Sequence, residues 1–230
     1  LCFISSLKLH TLLLFDNLKY NSKELVSKLL PPINFNKKAG FYNYTPSDKG
    51  IVVTGHPRLK GYLLKIYLDT CYLPDWKLWI QRIVGANQVR LSIEALGYSS
   101  IMKAPKKWIY PLPKSSVPPT GDGYYPKSYI LVVQDMGLFS EFANEQNWRY
   151  QVTASFLDAF YTMVMTNGLI DSYYIDNSPF CFDRKVAFVD TEHYNVDING
   201  FPGRQEVLMK YLSPDMRAHW EQLILNGCPR

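Results

Sequence analysis

The chain has 230 residues, enough for one large domain or two small lobes, and its 47% hydrophobic and 20% charged residues exclude wholesale disorder. Its net charge of +5 is far weaker than the clustered basic surface of a dedicated nucleic-acid-binding protein, so no specific nucleic acid is expected as a partner. The mild basic excess suits a phosphate-bearing ligand, an acidic partner, an anionic surface or simply a solvated exterior.

The cysteines and the apolar segments argue against several other classes of protein. The four cysteines form no CxxC pair, which argues against zinc and redox motifs, and buried thiols are a simpler expectation than two disulfides. No apolar run is long enough to span a bilayer, so no transmembrane segment is expected. The start, LCFISSLKLHTLLLF, lacks an initiator methionine, and we interpret it as an amphipathic helix of a processed or truncated chain rather than as a targeting remnant.

The first half of the chain predicts a helix, a hairpin and a second helix. The stretch SKELVSKLL, Ser22–Leu30, has the character of a helix and is followed by two prolines that stop it. Two runs rich in branched and aromatic residues, GIVVTGH and GYLLKIYLD, flank a turn-like tetrad and predict a hairpin over Gly50–Asp69. Apolar residues then recur at helical spacing over Asp75–Leu96, and Gly85 within them indicates close packing.

The second half predicts two strands, a long helix and a last strand. Lys107–Leu112 is expected to be a short strand, and the proline-rich loop 113–123 after it is a surface excursion or a partner site. The run YILVVQDM, Tyr129–Met136, predicts a buried central strand. One helix is expected over Asn144–Gly168, and the strand KVAFV then leads to two carboxylates.

Strands dominate before Met136 and helix dominates after it, so we predict an α+β fold of two lobes. The first lobe would take residues 1–135, including the N-terminal helical extension, and the second, short helical lobe would take 136–230. A connection over Gln134–Leu138 would join them. After the carboxylates only VLMKYL and MRAHWEQLIL remain as candidate short helices.

Lys65 is the first candidate functional residue. Strand alternation places it on the same face as Leu63 and Tyr67, which is apolar. A lysine on such a face either projects from an edge strand, where it discourages aggregation, or points into a cleft.

Polar residues after the second long helix form the other candidates. Asp171 and Asn177 lie in GLIDSYYIDN, where both residue types also form turns through local hydrogen bonds. Asp190 ends the apolar run KVAFV, and a carboxylate there either caps the next turn or binds a metal ion. The four histidines do not have the spacing of metal ligands, and His193 is the one that lies near these carboxylates.

The order of these features resembles the protein-kinase-like superfamily, in the branch of the aminoglycoside and choline phosphotransferases. Lys65 in LLKIY matches the lysine of the family's third strand, and YILVVQDM matches its fifth strand and the hinge against which adenine rests. Asn177 matches the metal-binding Asn of the catalytic loop, and Asp190 in VDTE matches the metal-binding Asp. The resemblance covers roughly Gly50 to His193.

The resemblance implies a two-lobed kinase-like fold, with a β-rich N-lobe, that binds Mg²⁺ and ATP. The residues implied for the nucleotide are Lys65, Glu94, Gln134, Asp135 and Met136. The residues implied for the metal are Asn177, Asp190 and Glu192, whose hard oxygen ligands suit Mg²⁺. Asp171 is the implied catalytic base, and phosphoryl transfer depends mainly on positioning and charge neutralisation by such groups.

The chain departs from the family pattern in several places. No glycine-rich loop precedes Lys65, and Ser172 stands five residues before Asn177, where the family has its catalytic Asp. Only 40 residues follow Asp190, fewer than a full helical substrate lobe needs. The sequence therefore leaves open a phosphotransferase acting on an unknown protein or small-molecule acceptor, an inactive pseudokinase working through protein contacts, and an α/β domain of unrelated fold.

Overall fold

The structure is a computed structural model that describes residues 42–46, 51–67, 73–112, 114, 117, 120–201 and 203–227. The predicted helix over Ser22–Leu30, the interpretation of the first fifteen residues and parts of the loop 113–123 lie outside the described residues. The part of the chain that is described is mixed α+β, as expected.

The strands run in chain order β1 Tyr42–Pro46, β2 Ile51–Gly55, β3 Tyr62–Tyr67, β4 Met102–Lys103, β5 Lys107–Pro111, β6 Tyr129–Gln134 and β7 Val186–Ala187. The α-helices are α1 Asp75–Ala95, α2 Glu141–Tyr150, α3 Ala154–Asn167 and α4 Pro214–Asn226. Short 3₁₀ helices cover Pro57–Leu59, Ile198–Gly200 and Gln205–Tyr211.

The described residues divide into two compact units. Unit 1 takes the described residues up to Ile80 together with Lys106–Asp135, and unit 2 takes Gln81–Pro105 and the described residues from Met136 onward. The division therefore falls within α1 and again at the end of β6.

Unit 1 contains a five-stranded antiparallel sheet in the order β1-β2-β3-β6-β5. The predicted hairpin is confirmed over its described part, since Ile51 pairs with Tyr67 and Gly55 with Leu63. Its turn is the 3₁₀ helix Pro57–Leu59, which begins where the His56 imidazole accepts a hydrogen bond from the Arg58 backbone N–H. The strand predicted from YILVVQDM is also confirmed as central, because β6 lies between β3 and β5.

One apolar core packs against this sheet in unit 1. Leu64, Ile130 and Val132 are at most 3% exposed and pack with Leu59 and Tyr110 in an apolar core. This burial supplies most of the favourable free energy of such a sheet.

The predicted helix over Asp75–Leu96 is confirmed as α1 to within one residue at its end. The buried Asp75 side chain accepts hydrogen bonds from the backbone N–H groups of Trp76 and Tyr129, and so ties the start of α1 to the start of β6. The Trp79 indole N–H adds a bond to the Tyr129 carbonyl at 3.3 Å.

Unit 2 is organised around buried aromatic rings. The Trp148 side chain of α2 is fully buried, and its ring centroid lies 5.2–5.9 Å from those of Phe156, Phe160 and Phe180. Such ring pairs add stability beyond the area they bury. Trp220 of α4 joins this core, and its indole N–H donates to the Gln205 carbonyl at 2.9 Å.

Two predictions for this unit need correction. The single helix expected over Asn144–Gly168 is wrong, because α2 ends at Tyr150 and Thr153 begins α3 by accepting a hydrogen bond from the Phe156 N–H. The strand expected over Lys185–Val189 shrinks to the two residues of β7, which pair in parallel with β4. Of the two helices expected near the C-terminus, the first is a 3₁₀ helix and the second is α4.

Within the described ranges, no helix combines the length and the apolar character that crossing a membrane would require.

Candidate functional site

The loop after α3 carries Asp171 and Asn177, and the end of the helix fixes its path. Gly168 adopts a left-handed conformation at φ +58°, and an added Cβ would overlap the backbone of Val196. The Asn177 side-chain amide nitrogen then donates to the Asp171 carbonyl at 3.0 Å, which closes the loop on itself. Since the nitrogen makes this bond, the amide oxygen is the atom that Asn177 has for a cation.

Asn144 of α2 holds the far side of this loop. Its side chain is 2% exposed, donates to the Ile175 carbonyl at 3.0 Å and accepts from the Phe180 N–H at 2.9 Å. Leaving such buried backbone groups unpaired costs about 1–3 kcal/mol each, so Asn144 is a positioning residue for the loop.

Asp171 lies among basic side chains. One carboxylate oxygen is 3.4 Å from an Arg204 guanidinium nitrogen, and the other is 3.6 Å from His193 Nε2, an ion pair only when that imidazole is protonated. The same Arg204 nitrogen donates to the Tyr174 hydroxyl at 3.0 Å. The Asp171 carboxylate is about a quarter exposed, at 27%, so it remains reachable from solvent.

Asp190 is brought to this loop through the backbone. The Val189 N–H donates to the Asn177 carbonyl at 2.9 Å, so the residue that follows Val189 emerges beside the Asp171–Asn177 loop. Asp171, Asn177 and Asp190 therefore lie in the same unit, on segments joined by these two hydrogen bonds.

Arg82 of α1 forms an ion pair with both Asp190 and Glu192. One guanidinium nitrogen lies 2.6 Å from an Asp190 oxygen, and the other contacts a Glu192 oxygen. The Arg82 side chain is 6% exposed, compared with 28% for Asp190 and 18% for Glu192. A buried guanidinium stays charged and needs such carboxylate partners.

The backbone of α1 also contacts the segment that carries these carboxylates. The fully buried Thr191 hydroxyl donates to the Arg82 carbonyl at 2.9 Å. At Gly85 an added Cβ would overlap the Thr191 carbonyl oxygen and come within 2.9 Å of the Tyr194 ring. The prediction that Gly85 serves close packing is therefore confirmed.

The residues expected at the nucleotide lie in several elements. Lys65 is in β3, with Val53 and Leu131 as its register partners and with a half-buried side chain. Because β3 is an interior strand, the alternative of an edge-strand lysine is wrong. Glu94 is exposed in the last turn of α1, in unit 2.

The expected hinge residues lie at the end of β6. The side-chain oxygen of Gln134 accepts from the Lys106 N–H, and the Asp135 N–H donates to the Gly61 carbonyl at 2.8 Å, both within unit 1. The Met136 carbonyl accepts from the Lys103 ammonium at 3.1 Å within unit 2.

The donor set at Asp190 has the chemistry that Mg²⁺ prefers, since it offers carboxylate and amide oxygens. No group of three or more His, Cys, Asp or Glu side chains is arranged for a metal in the described ranges. The expected metal ligands Asn177, Asp190 and Glu192 are two carboxylates and an amide, so they are not a group of that kind. The metal site stays a prediction.

Arg82 and Asn144 contact the candidate site, and the sequence alone did not indicate either of them. Arg82 does carry one signal, because it lies at helical spacing from the buried Trp79 and Ala86 and so interrupts the apolar stripe of α1 with a charge. A lone cation on a buried stripe predicts a carboxylate partner, although not which one.

Comparison with protein-family models finds no matching family, and a search of curated protein sequences finds no matching relative.

Proposed function

We propose that this chain is a kinase-like protein with two lobes that binds Mg²⁺-ATP and transfers a phosphoryl group to an acceptor, which is a protein or a small molecule. One observation carries the proposal: two backbone-anchored hydrogen bonds link Asp171, Asn177 and the residue before Asp190 in one unit. Phosphoryl transfer needs a base and hard metal ligands at close quarters, and these are the residue types present.

Each residue has a role in this proposal. Asp190 and Asn177 hold Mg²⁺ through oxygen atoms, with Glu192 assisting, and the metal supplies charge neutralisation for the phosphates when it is bound. Lys65 holds the inner phosphates, and Gln134, Asp135 and Met136 lie against the adenine. Glu94 is the carboxylate proposed to assist Lys65 at the nucleotide.

Asp171 is the proposed base. The hydrogen bond from Asn177 to its carbonyl fixes its backbone, while its carboxylate oxygens face Arg204 and His193. The carboxylate reaches solvent, which an acceptor hydroxyl requires.

A second candidate function is a catalytically inactive pseudokinase that acts as a protein-interaction module. The contacts of Arg82 favour it, because this guanidinium already neutralises both Asp190 and Glu192. A chain of this kind would bind nucleotide weakly or not at all.

The proposal is tested by measuring the affinity for Mg²⁺-ATP by calorimetry in the wild type, Lys65→Met and Lys77→Met. Lys65 is half-buried in the sheet, whereas Lys77 is exposed in the first turn of α1 and serves as the matched control. Loss of a charge-assisted phosphate contact of about 1.5–3 kcal/mol should weaken binding roughly 10- to 100-fold in Lys65→Met alone. Equal affinity in all three proteins would reject the role of Lys65.

Asp171→Asn separates the two candidates. A phosphotransferase should keep its nucleotide affinity in this variant and lose turnover, whereas a pseudokinase shows no turnover in either protein. Normal turnover in Asp171→Asn would reject its assignment as the base.

A further inference from the structure

The carboxylates of Asp190 and Glu192 share one partner. They are two residues apart in sequence, and the two terminal nitrogens of a single guanidinium contact one oxygen of each. Like charges that meet at one group repel each other, and a cation that contacts both carboxylates is required to offset that repulsion. The planar fork of Arg82 meets that requirement in the geometry that suits a guanidinium.

The position of the carboxylates does not depend on that fork alone. Thr191, between them, donates its hydroxyl hydrogen to the Arg82 backbone carbonyl, and Gly85 lets the Thr191 carbonyl approach α1 closely. Both contacts use backbone atoms of α1. We therefore expect the segment Asp190–Glu192 to keep its contact with α1 when the Arg82 side chain is substituted.

From these contacts we infer that Arg82 is the resident counter-cation of Asp190 and Glu192, and that a divalent cation binds these carboxylates only in exchange for its guanidinium. Arg82 and a metal ion compete for the same oxygen atoms. The inference rests on the proposed function, which assigns the two carboxylates to the metal. It deepens that function because metal binding would then switch the carboxylates between two partners. In one state α1 holds the carboxylates, and in the other a cation does.

The exchange predicts that removing the guanidinium exposes a divalent-cation site. The probe is Mg²⁺ alone, titrated against Arg82→Gln while the thermal unfolding midpoint is followed. The variant should be less stable than the wild type without metal. Its midpoint should then rise with Mg²⁺, by about 3–6 °C for each tenfold excess over the dissociation constant. The wild type should rise much less over the same range.

Two controls locate the effect. Arg90→Gln removes an arginine of the same helix that donates hydrogen bonds to the Pro105 carbonyl and the Asn87 side chain, so it should respond to Mg²⁺ as the wild type does. The double variant Arg82→Gln, Asp190→Asn should lose the gain. A gain that persists in the double variant would overturn the inference, since the metal would then bind elsewhere.

Arg82→Lys serves if the glutamine variant does not fold. A lysine offers a single ammonium in place of the planar fork, so it should hold the two carboxylates less firmly and give a Mg²⁺ response above that of the wild type. Equal Mg²⁺ responses in the wild type and in every folded Arg82 variant would contradict the exchange. If the wild type binds Mg²⁺-ATP but the Arg82 variants respond to Mg²⁺ as the wild type does, this inference is rejected and the proposed function is kept. If the Arg82 variants gain a Mg²⁺ response but no protein binds nucleotide, the proposed function is rejected and the exchange is kept.

Discussion

Asp75 shows how one buried carboxylate links stability to pH. Its side chain is 1% exposed, and burial raises the pKa of this carboxyl above the ordinary 3.8, although hydrogen bonds from the backbone of Tyr129, Trp76 and Ser128 partly offset the rise. The folded protein therefore binds this proton more tightly than the unfolded chain does. The stability that protonated Asp75 contributes is present below the ordinary pKa and is lost as the pH rises through the folded pKa.

Asp75→Asn tests that sign. The amide keeps an oxygen for one of the backbone N–H groups but does not ionise, so the variant should lack this loss of stability. Urea unfolding from about pH 4 to about pH 7 should show the wild type losing stability relative to Asp75→Asn as the pH rises. A difference that is constant over the range, or that moves in favour of the wild type, would contradict the raised pKa.

The face on which a single residue lies was predictable where the residue belongs to an element with a clear hydrophobic period. Alternation along GYLLKIYLD was sufficient to place Lys65 on an apolar face, where the register now sets it beside Val53 and Leu131. The partner of Asp190 was not predictable, because Arg82 is 108 residues away and only the tertiary fold brings the two together. Asn144 was hidden for the same reason, since its partners lie 31 and 36 residues further along the chain.

At the level of elements, the contact between α1 and the segment after β7 depends on Gly85. Alanine at this position would favour the helix by about 1 kcal/mol through propensity. Its Cβ would also overlap the Thr191 carbonyl oxygen, and overpacking of this kind costs about 1–3 kcal/mol. The backbone of Thr191 cannot swing away as a flexible side chain would, so we expect Gly85→Ala to destabilise unit 2 despite its better propensity.

The free energy of unfolding from urea titration measures this, with Gly200→Ala as the matched control. Gly200 has open space where its Cβ would be placed. A stabilised Gly85→Ala protein would show that α1 and the Thr191 segment do not contact as closely as described, and it would weaken the account of Arg82 as well.

Elements with a clear period were predictable, and the short strand expected over Lys107–Leu112 is confirmed as β5, whereas the interrupted helix and the two-residue strand were not predictable. The hairpin and α1 have clear periods over many residues, and both are confirmed. The break between α2 and α3 was missed because apolar residues continue at helical spacing across it, while the Thr153 cap is one weak local signal. The two residues of β7 are too few to show any period, and the β4 residues with which they pair lie 84 positions earlier in the sequence.

For the molecule as a whole, the order of elements was predictable and the relation between distant residues was not. A shift from strands to helices near Met136 indicated an α+β chain, which the described residues show. The kinase-like function remains a proposal, carried by the link of Asp171 and Asn177 to the backbone before Asp190. What the sequence could not indicate is that a guanidinium already lies at the proposed metal ligands.

The most direct test of this account is a thermal-shift titration with ATP, with and without Mg²⁺, on the wild type and Asp190→Asn. Asp215→Asn, an exposed carboxylate in the first turn of α4, is the control. A ligand that binds the folded state raises its apparent stability by mass action. We predict a Mg²⁺-dependent rise of the unfolding midpoint in the wild type and the control that is lost in Asp190→Asn. No rise in the wild type at millimolar ATP, or an equal rise in all three proteins, would contradict the account.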